Sequence, residues 1–245
     1  MSAIEKRIAD VMPPKTVMWL RGEKNRRELF GLHAPAKVLS DLVPSGRPVV
    51  DAGANVGLYA YWLSKNASVV HAFEPHPRVF AQLQAAAGPK IHTYNVALSD
   101  EPGTALLHVP PAGLGEASLI PHAERGQEIE VVPVELRTLD SYRLSDVGFL
   151  KVDVEGHEEP LLRGARETII ASRPVVFMEI EERHAAGSVD RITEWMQAEA
   201  NYTDVSFMCN GAFYPLAEFD LNKHQLRYVE TPSSPNYVSN FLFLP

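Results

Sequence analysis

Cysteine is almost missing from this chain of 245 residues: Cys209 stands alone, which excludes an internal disulfide and any multi-cysteine metal site. The histidines show no H-x-x-x-H or H-E-x-x-H spacing, so a histidine zinc site is not expected either. Excess positive charge is absent. A formal net charge of −8 argues against a dominant polyphosphate-binding surface and hence against a nucleic-acid partner. No segment approaches the ~20 apolar residues that span a bilayer. The opening stretch MSAIEKRIADVMPP has no apolar signal-peptide core, so the expected location is the cytoplasm. Repeats and low-complexity tracts are lacking too. What is left is the profile of a globular α/β enzyme, long enough to hold one large core.

The densest signal is VVDAGANVGLYAYWL, residues 49–63, followed by VVHAFEPHP. A short apolar strand ends near Val50. Asp51, Gly53, Asn55 and Gly57 form a tight loop, and a helix begins near Leu58. A second apolar run ends in Glu74. This is a βαβ unit with a glycine-rich first turn and an acid at the tip of the second strand, the position that holds ribose hydroxyls. A dinucleotide site uses G-x-G-x-x-G, because its helix N-terminus must receive a pyrophosphate. The spacing here is D-x-G-x-N-x-G, with Asn55 where a second glycine would sit. S-adenosylmethionine has no phosphate; an acid in the loop suits its ammonium, loop N–H groups its carboxylate, and Glu74 its ribose diol. An NAD-dependent oxidoreductase is the weaker reading, since it would need the phosphate-type glycines and a Tyr-x-x-x-Lys or equivalent pair. A non-catalytic cofactor-binding module is the other.

From Pro48 onward strands alternate with helices. Expected strands are 48–52, 69–73, 91–96, 149–154 and 175–180, with helices at 57–66, 77–87 and 189–199. This order predicts a doubly wound, mostly parallel sheet with helices on both faces. Between 100 and 137 the rhythm breaks into two β segments around a Gly/Pro-rich loop, a surface excursion or a substrate-facing one. Asn210-Gly211 is a type I′ hairpin signal, and YVSNFLFLP reads as a last strand. Residues 1–45 form an appended segment, read as a cap or lid, and 46–245 the Rossmann-like domain.

The second dense cluster is LKVDVEGHEEPLLRGA, residues 150–165. Asp153, Glu155, His157 and Glu158 crowd the tip of a central strand, next to the first loop. Strand alternation would send Asp153 and Glu155 to one side, where carboxylates raise one another's pKa or share a cation. Capping of the following helix is the structural alternative for these acids. His122 and His184 fall in or beside loops near the expected cleft, although single histidines of this kind are more often surface or satisfied residues.

VVDAGANVGLYAYWLSK, VHAFEPHPRVFAQLQ, YNVALSD, LRTLDSY and LKVDVEGHEEPLLRGA occur in the order and spacing of the FkbM-type methyltransferases, and the chain resembles that family over roughly residues 48–182. The resemblance implies a class I seven-stranded sheet whose last strand is antiparallel, S-adenosylmethionine as cofactor, and O-methylation of a sugar, glycan or natural-product hydroxyl. Carried over position by position, Asp51, Gly53, Asn55 and Gly57 would form the methionine-side loop. Glu74 would take the ribose, with Pro75 and His76 shaping that corner. Asn95, Ala97 and Ser99 would lie beside the adenine. Asp153, Glu155 and His157 would face the methyl and the acceptor oxygen. His157 is the best neutral-pH base by intrinsic pKa. Asp153 with Glu155 is the best pair for a hard cation such as magnesium, and metal-free base catalysis is preferred. A homo-oligomer stays open.

Overall fold

A computed structural model describes residues 39, 41–110, 117–120, 129–229, 231–232, 234 and 236–245. The cap expected over 1–45 lies outside the described residues except at 39 and 41–45, and His122 lies outside them entirely. Strands β1 (Val49–Ala52), β2 (Val70–Phe73), β3 (Ile91–Tyr94), β7 (Phe149–Val152) and β8 (Val175–Glu179) pair in parallel. The strand β11 (Asn240–Leu244) inserts antiparallel between β8 and β9 (Asp204–Cys209), and β10 (Ala212–Pro215) closes the edge. The order is β10-β9-β11-β8-β7-β1-β2-β3.

That sheet has eight strands where seven were expected. The extra one is the return strand of the hairpin. Asn210 and Gly211 take φ of 51° and 75°, the left-handed pair of a type I′ turn, so β10 pairs straight back onto β9. A separate sheet of β4 (Ala97–Leu98), β6 (Glu130–Arg137) and β5 (Gly103–Val109) rises from the irregular middle section.

Both faces of the large sheet are apolar, as parallel sheets require. Val50, Leu150, Val176 and Phe241 pack on one face with Leu161, Ile169, Ile192 and Met196. These last four come from helices α3 (Glu158–Gly164), α4 (Arg166–Ser172) and α5 (Ser188–Ala198). Val49, Phe149, Phe177 and Leu242 pack on the other face with Leu39, Leu63 and Leu83. Here α1 (Leu58–Leu63) and α2 (Pro77–Ala86) supply the cover. The period-2 alternation of the strands is what divides these sets. Asp51 and Lys151 are adjacent across β1 and β7, paired in register, so two charged side chains enter the second layer together.

Candidate functional site

The loop after β1 is held by main chain. Gly53 has φ of 75°, and a Cβ there would lie 1.7 Å from the Asp153 carbonyl oxygen, so only glycine fits. The N–H groups of Gly53 and Ala54 donate to the Phe73 carbonyl at 3.0 and 2.9 Å, and Gly57 donates to Ala54 at 2.9 Å. Asn55, at φ 49°, donates its N–H to Glu74 Oε2 at 2.9 Å, and its Oδ1 accepts from Val56 N–H at 2.7 Å. These donors were expected to receive a ligand carboxylate. In the folded chain each already has a protein acceptor, because the loop must turn tightly enough to start α1.

Glu74 joins this loop to the next. Its Oε1 accepts from His76 N–H at 2.8 Å while Oε2 takes Asn55 N–H. Burial pushes its carboxyl up to about 7, against the pull of those two N–H groups. Asn95 donates to the carbonyls of Glu74 and Pro75 at 2.9 and 2.8 Å, which ends β3 at Tyr94 and locks the corner. His76 caps α2, accepting from Arg78 N–H through Nδ1 at 3.2 Å.

These elements open on a cleft of about 650 Å³, mouth included, in the range of small-molecule sites. Gly53, Asn55, Glu74 and Pro75 line one wall. Ala97 sits with Phe73, Val96, Leu98, Leu107 and Leu119 in an apolar box suited to a flat heterocycle. Leu107 and Leu119 come from the middle section, which therefore faces the cleft. Asp153, Glu155 and His157 line the same cleft, the Asp153 main chain directly against Gly53. Asp51, Gly57, His76, Asn95 and Ser99 stand behind the lining and brace it.

Lys151 does much of that bracing. Its Nζ lies 3.0 Å from Asp153 Oδ2, 3.4 Å from Asp51 Oδ1 and 3.0 Å from the Gly53 carbonyl, beneath the Tyr59 ring. Burial alone would lower its pKa, but the Asp153 and Asp51 carboxylates outweigh that and hold the ammonium above its ordinary value. Burial raises the Asp51 carboxyl, with Lys151 opposing. Asp51 is therefore fully enclosed and committed to Lys151 instead of facing the cleft.

β7 ends at Val152, and Glu155 turns at φ 49°, so strand alternation no longer governs where it points. Asp153 goes to Lys151. The Glu155 carboxylate goes to His184 Nε2 at 2.9 Å. The two acids expected to share a cation are thus engaged by different groups, and among the described residues no cluster of three or more His, Cys, Asp or Glu is arranged around a metal position. Glu158 folds back on Gly156 N–H at 2.9 Å, and burial lifts its carboxyl to about 7.

His157 sits at the N-cap of α3. Its Nε2 is 3.0 Å from Ser99 Oγ, which is 3.1 Å from Asp100 Oδ1; Arg163 holds the other oxygen of Asp100 at 3.1–3.2 Å. Burial lowers the imidazole pKa, partly offset by Asp100. Gly164 lets α3 approach closely, since a Cβ would fall 1.9 Å from the Ser99 carbonyl oxygen.

A family model described as the methyltransferase FkbM domain matches residues 51–203. The chain belongs to the FkbM methyltransferase domain family. It is 29% identical over 147 residues to Methyltransferase 1 of Beauveria bassiana (strain ARSEF 2860), covering 49% of this chain and 59% of that protein. It is 31% identical over 164 residues to Methyltransferase sdnD of Sordaria araneosa, covering 51% and 62%. The chain thus spans about six-tenths of the length of these curated relatives. The FkbM methyltransferase of Methylobacillus flagellatus KT superposes with a TM-score of 0.52 at 16% identity, over 81% of this chain and 43% of that one, which shows a shared fold.

FkbM membership implies S-adenosylmethionine as the methyl donor. The residues present fit its nucleoside half: each Glu74 oxygen accepts a single N–H, leaving a lone pair apiece for a diol, beside the apolar box. Lys151, Tyr59, Glu179 and Glu181 were missed by sequence reasoning. Glu179 ends β8 beside Asp153, its Oε1 taking the Ser239 hydroxyl at 2.7 Å, and burial with the Asp153 charge raises its carboxyl. The alternating acids of FMEIEERH after an apolar run were the available signal. Conversely, a Tyr-x-x-x-Lys spacing does occur at Tyr61 and Lys65, but Lys65 lies over the Tyr61 ring in α1 and neither lines the cleft.

Proposed function

We propose that this FkbM domain transfers a methyl group from S-adenosylmethionine to a hydroxyl oxygen of a sugar, glycan or natural product. One observation carries the reading: Glu74, an apolar box and an imidazole oriented by Ser99 line a single cleft. When bound, the sulfonium supplies a methyl that forms a C–O bond as its C–S bond breaks, and the hydroxyl proton must leave.

His157 is the group to receive that proton. Its depressed pKa keeps it neutral at pH 7. With Nε2–H donating to Ser99 Oγ, and that hydroxyl donating to Asp100, Nδ1 is the basic nitrogen. Charge developing on the ring then spreads toward an Asp100 carboxylate already held by Arg163. Asp153, pinned by Lys151, fixes the adjacent wall, and positioning supplies much of the acceleration. Leu107 and Leu119 add apolar surface to the cleft.

Calorimetric titration with S-adenosylmethionine, S-adenosylhomocysteine and NAD, with and without magnesium, tests the assignment. Saturable binding of the first two alone is expected. Binding of NAD alone would sink it, and binding of none would favour a scaffold that keeps the fold without the reaction.

A further inference from the structure

Most described Lys and Arg side chains are already engaged by a carboxylate, a main-chain carbonyl or a ring. Among the described residues Arg143, Lys223 and Arg227 have no such partner. Two of these three face the same cavity. It holds about 870 Å³, mouth included, between the β9–β10 hairpin and α6 (Leu221–His224) with the turn that follows it. In a chain of net charge −8, two uncommitted cations converging on one cavity are out of keeping with the rest of the surface.

The other walls add chemistry. Tyr214 and Tyr228 present rings, and the Asn210 amide donates to Asn236 Oδ1 at 3.0 Å, both amides lining the cavity. Glu218 is the one carboxylate among the lining residues, so cations outnumber it. His224 takes the Asp220 N–H on Nδ1, and burial lowers its pKa, so it adds no charge.

The topology ties this cavity to the donor cleft. β8 and β9 both run antiparallel to β11, so β9 is parallel to β8 and its Cys209 end emerges on the sheet edge where β1, β2 and β7 also end. Gln225 fastens α6 to that edge, donating to the carbonyls of Ile180 and Val238 and accepting from Glu182 N–H. A short run of contacts joins the two cavities. Asn236 lines the second; its neighbour Tyr237 donates to Glu181 Oε2 at 2.7 Å. Glu181 lies 3.8 Å from His184 Nε2, and His184 lies 2.9 Å from Glu155, which lines the first.

We infer that this second cavity is an acceptor subsite that holds the phosphate of a phosphorylated sugar between Lys223 and Arg227, with the ring against Tyr214 or Tyr228. Two cations suit a dianion better than a single carboxylate, for which one guanidinium suffices. Aromatic faces and side-chain amides suit the C–H and hydroxyl faces of a pyranose. Its role as acceptor subsite rests on the methyltransferase reading; its anion chemistry does not.

Glucose 1-phosphate, glucose and S-adenosylhomocysteine, titrated calorimetrically into wild type and the double variant Lys223→Glu/Arg227→Glu, decide the matter. Both side chains are exposed, so the fold tolerates the change. Glucose 1-phosphate is expected to bind at least about tenfold tighter than glucose, and to lose at least about tenfold in the variant. S-adenosylhomocysteine affinity should stay within about twofold, and the two ligands should bind together. Equal affinity for glucose and its phosphate, an unaffected variant, or mutual exclusion of the two ligands would each overturn the subsite. Failure of S-adenosylhomocysteine to bind wild type would instead strike the donor assignment.

Discussion

On the β1–β2 side of the cleft, the shaping residues come from one βαβ unit and are held by main chain: the Phe73 carbonyl takes two loop N–H groups, and Glu74 takes two more. On the β7–β8 side, the corresponding groups are held by side chains, two of the three from distant segments. Asp153 depends on Lys151, Glu155 on His184, and His157 on Ser99. Main-chain bonds within a contiguous unit follow from local spacing, whereas a side-chain network exists only once strands and helices have been placed. The first half is therefore motif-like, and the second is set by tertiary packing.

Breaking the seam between the halves should have the largest effect. Gly53→Ala puts a methyl onto the Asp153 carbonyl at a positive φ, so a loss of about 4–5 kcal/mol or more, the range of severe backbone and packing lesions, is expected in urea unfolding. A stability near wild type would show that the loop yields. Lys151→Met leaves Asp51 enclosed beside Asp153 without a counter-charge. About 3–5 kcal/mol should be lost; Lys151→Arg, too large for the space beneath Tyr59, should not restore it.

His157→Ala sharpens the comparison, since His157 belongs to the side-chain network and contacts the other side only through Ser99. Turnover should fall by about 10²-fold with S-adenosylhomocysteine affinity unchanged. A matching loss of affinity would mean that His157 shapes the donor wall and moves no proton. In wild type, the acid limb of the rate profile should lie below the ordinary imidazole range, because burial depresses this pKa.

The smallest effect, and the most diagnostic for the donor half, is the pH behaviour of Glu74. Its folded pKa is raised to about 7, so the folded state binds a proton that the unfolded state has released. The stability it contributes is complete below the ordinary carboxylate pKa and lost as pH rises toward 7. Donor affinity should run the other way, rising through the same window as the carboxylate becomes a better acceptor for the ribose diol. Glu74→Gln should flatten both curves. A donor affinity independent of pH between 5 and 8 in wild type would remove Glu74 from the ribose.

Much of this was legible in the chain. The D-x-G-x-N-x-G turn, the acid closing β2 and the acid-rich tip of β7 announced themselves because each is a local pattern whose backbone geometry restricts residue type. The Asn210-Gly211 hairpin was equally plain, yet its return strand went uncounted, since whether a short strand joins a sheet depends on the edge it finds. That the loop N–H groups bond to Phe73, Glu74 and neighbouring loop atoms was not legible, because hydrogen-bond partners are a matter of what folds against the loop. Lys151 was passed over as one lysine in an apolar run, and only its register opposite Asp51 gives it meaning.

By itself the sequence determined the parallel α/β class and the family, and singled out Glu74 and His157, which the fold brings to one cleft, because these depend on short-range spacing and on the period of buried side chains. The tertiary structure alone decided that Lys151 ties Asp51 to Asp153, that Asp153 and Glu155 part to different partners, that the middle section walls the cleft, and that Lys223 and Arg227 face a cavity on the same sheet edge. Each of those depends on the register and order of strands far apart in the chain, which long-range pairing sets and local pattern does not encode.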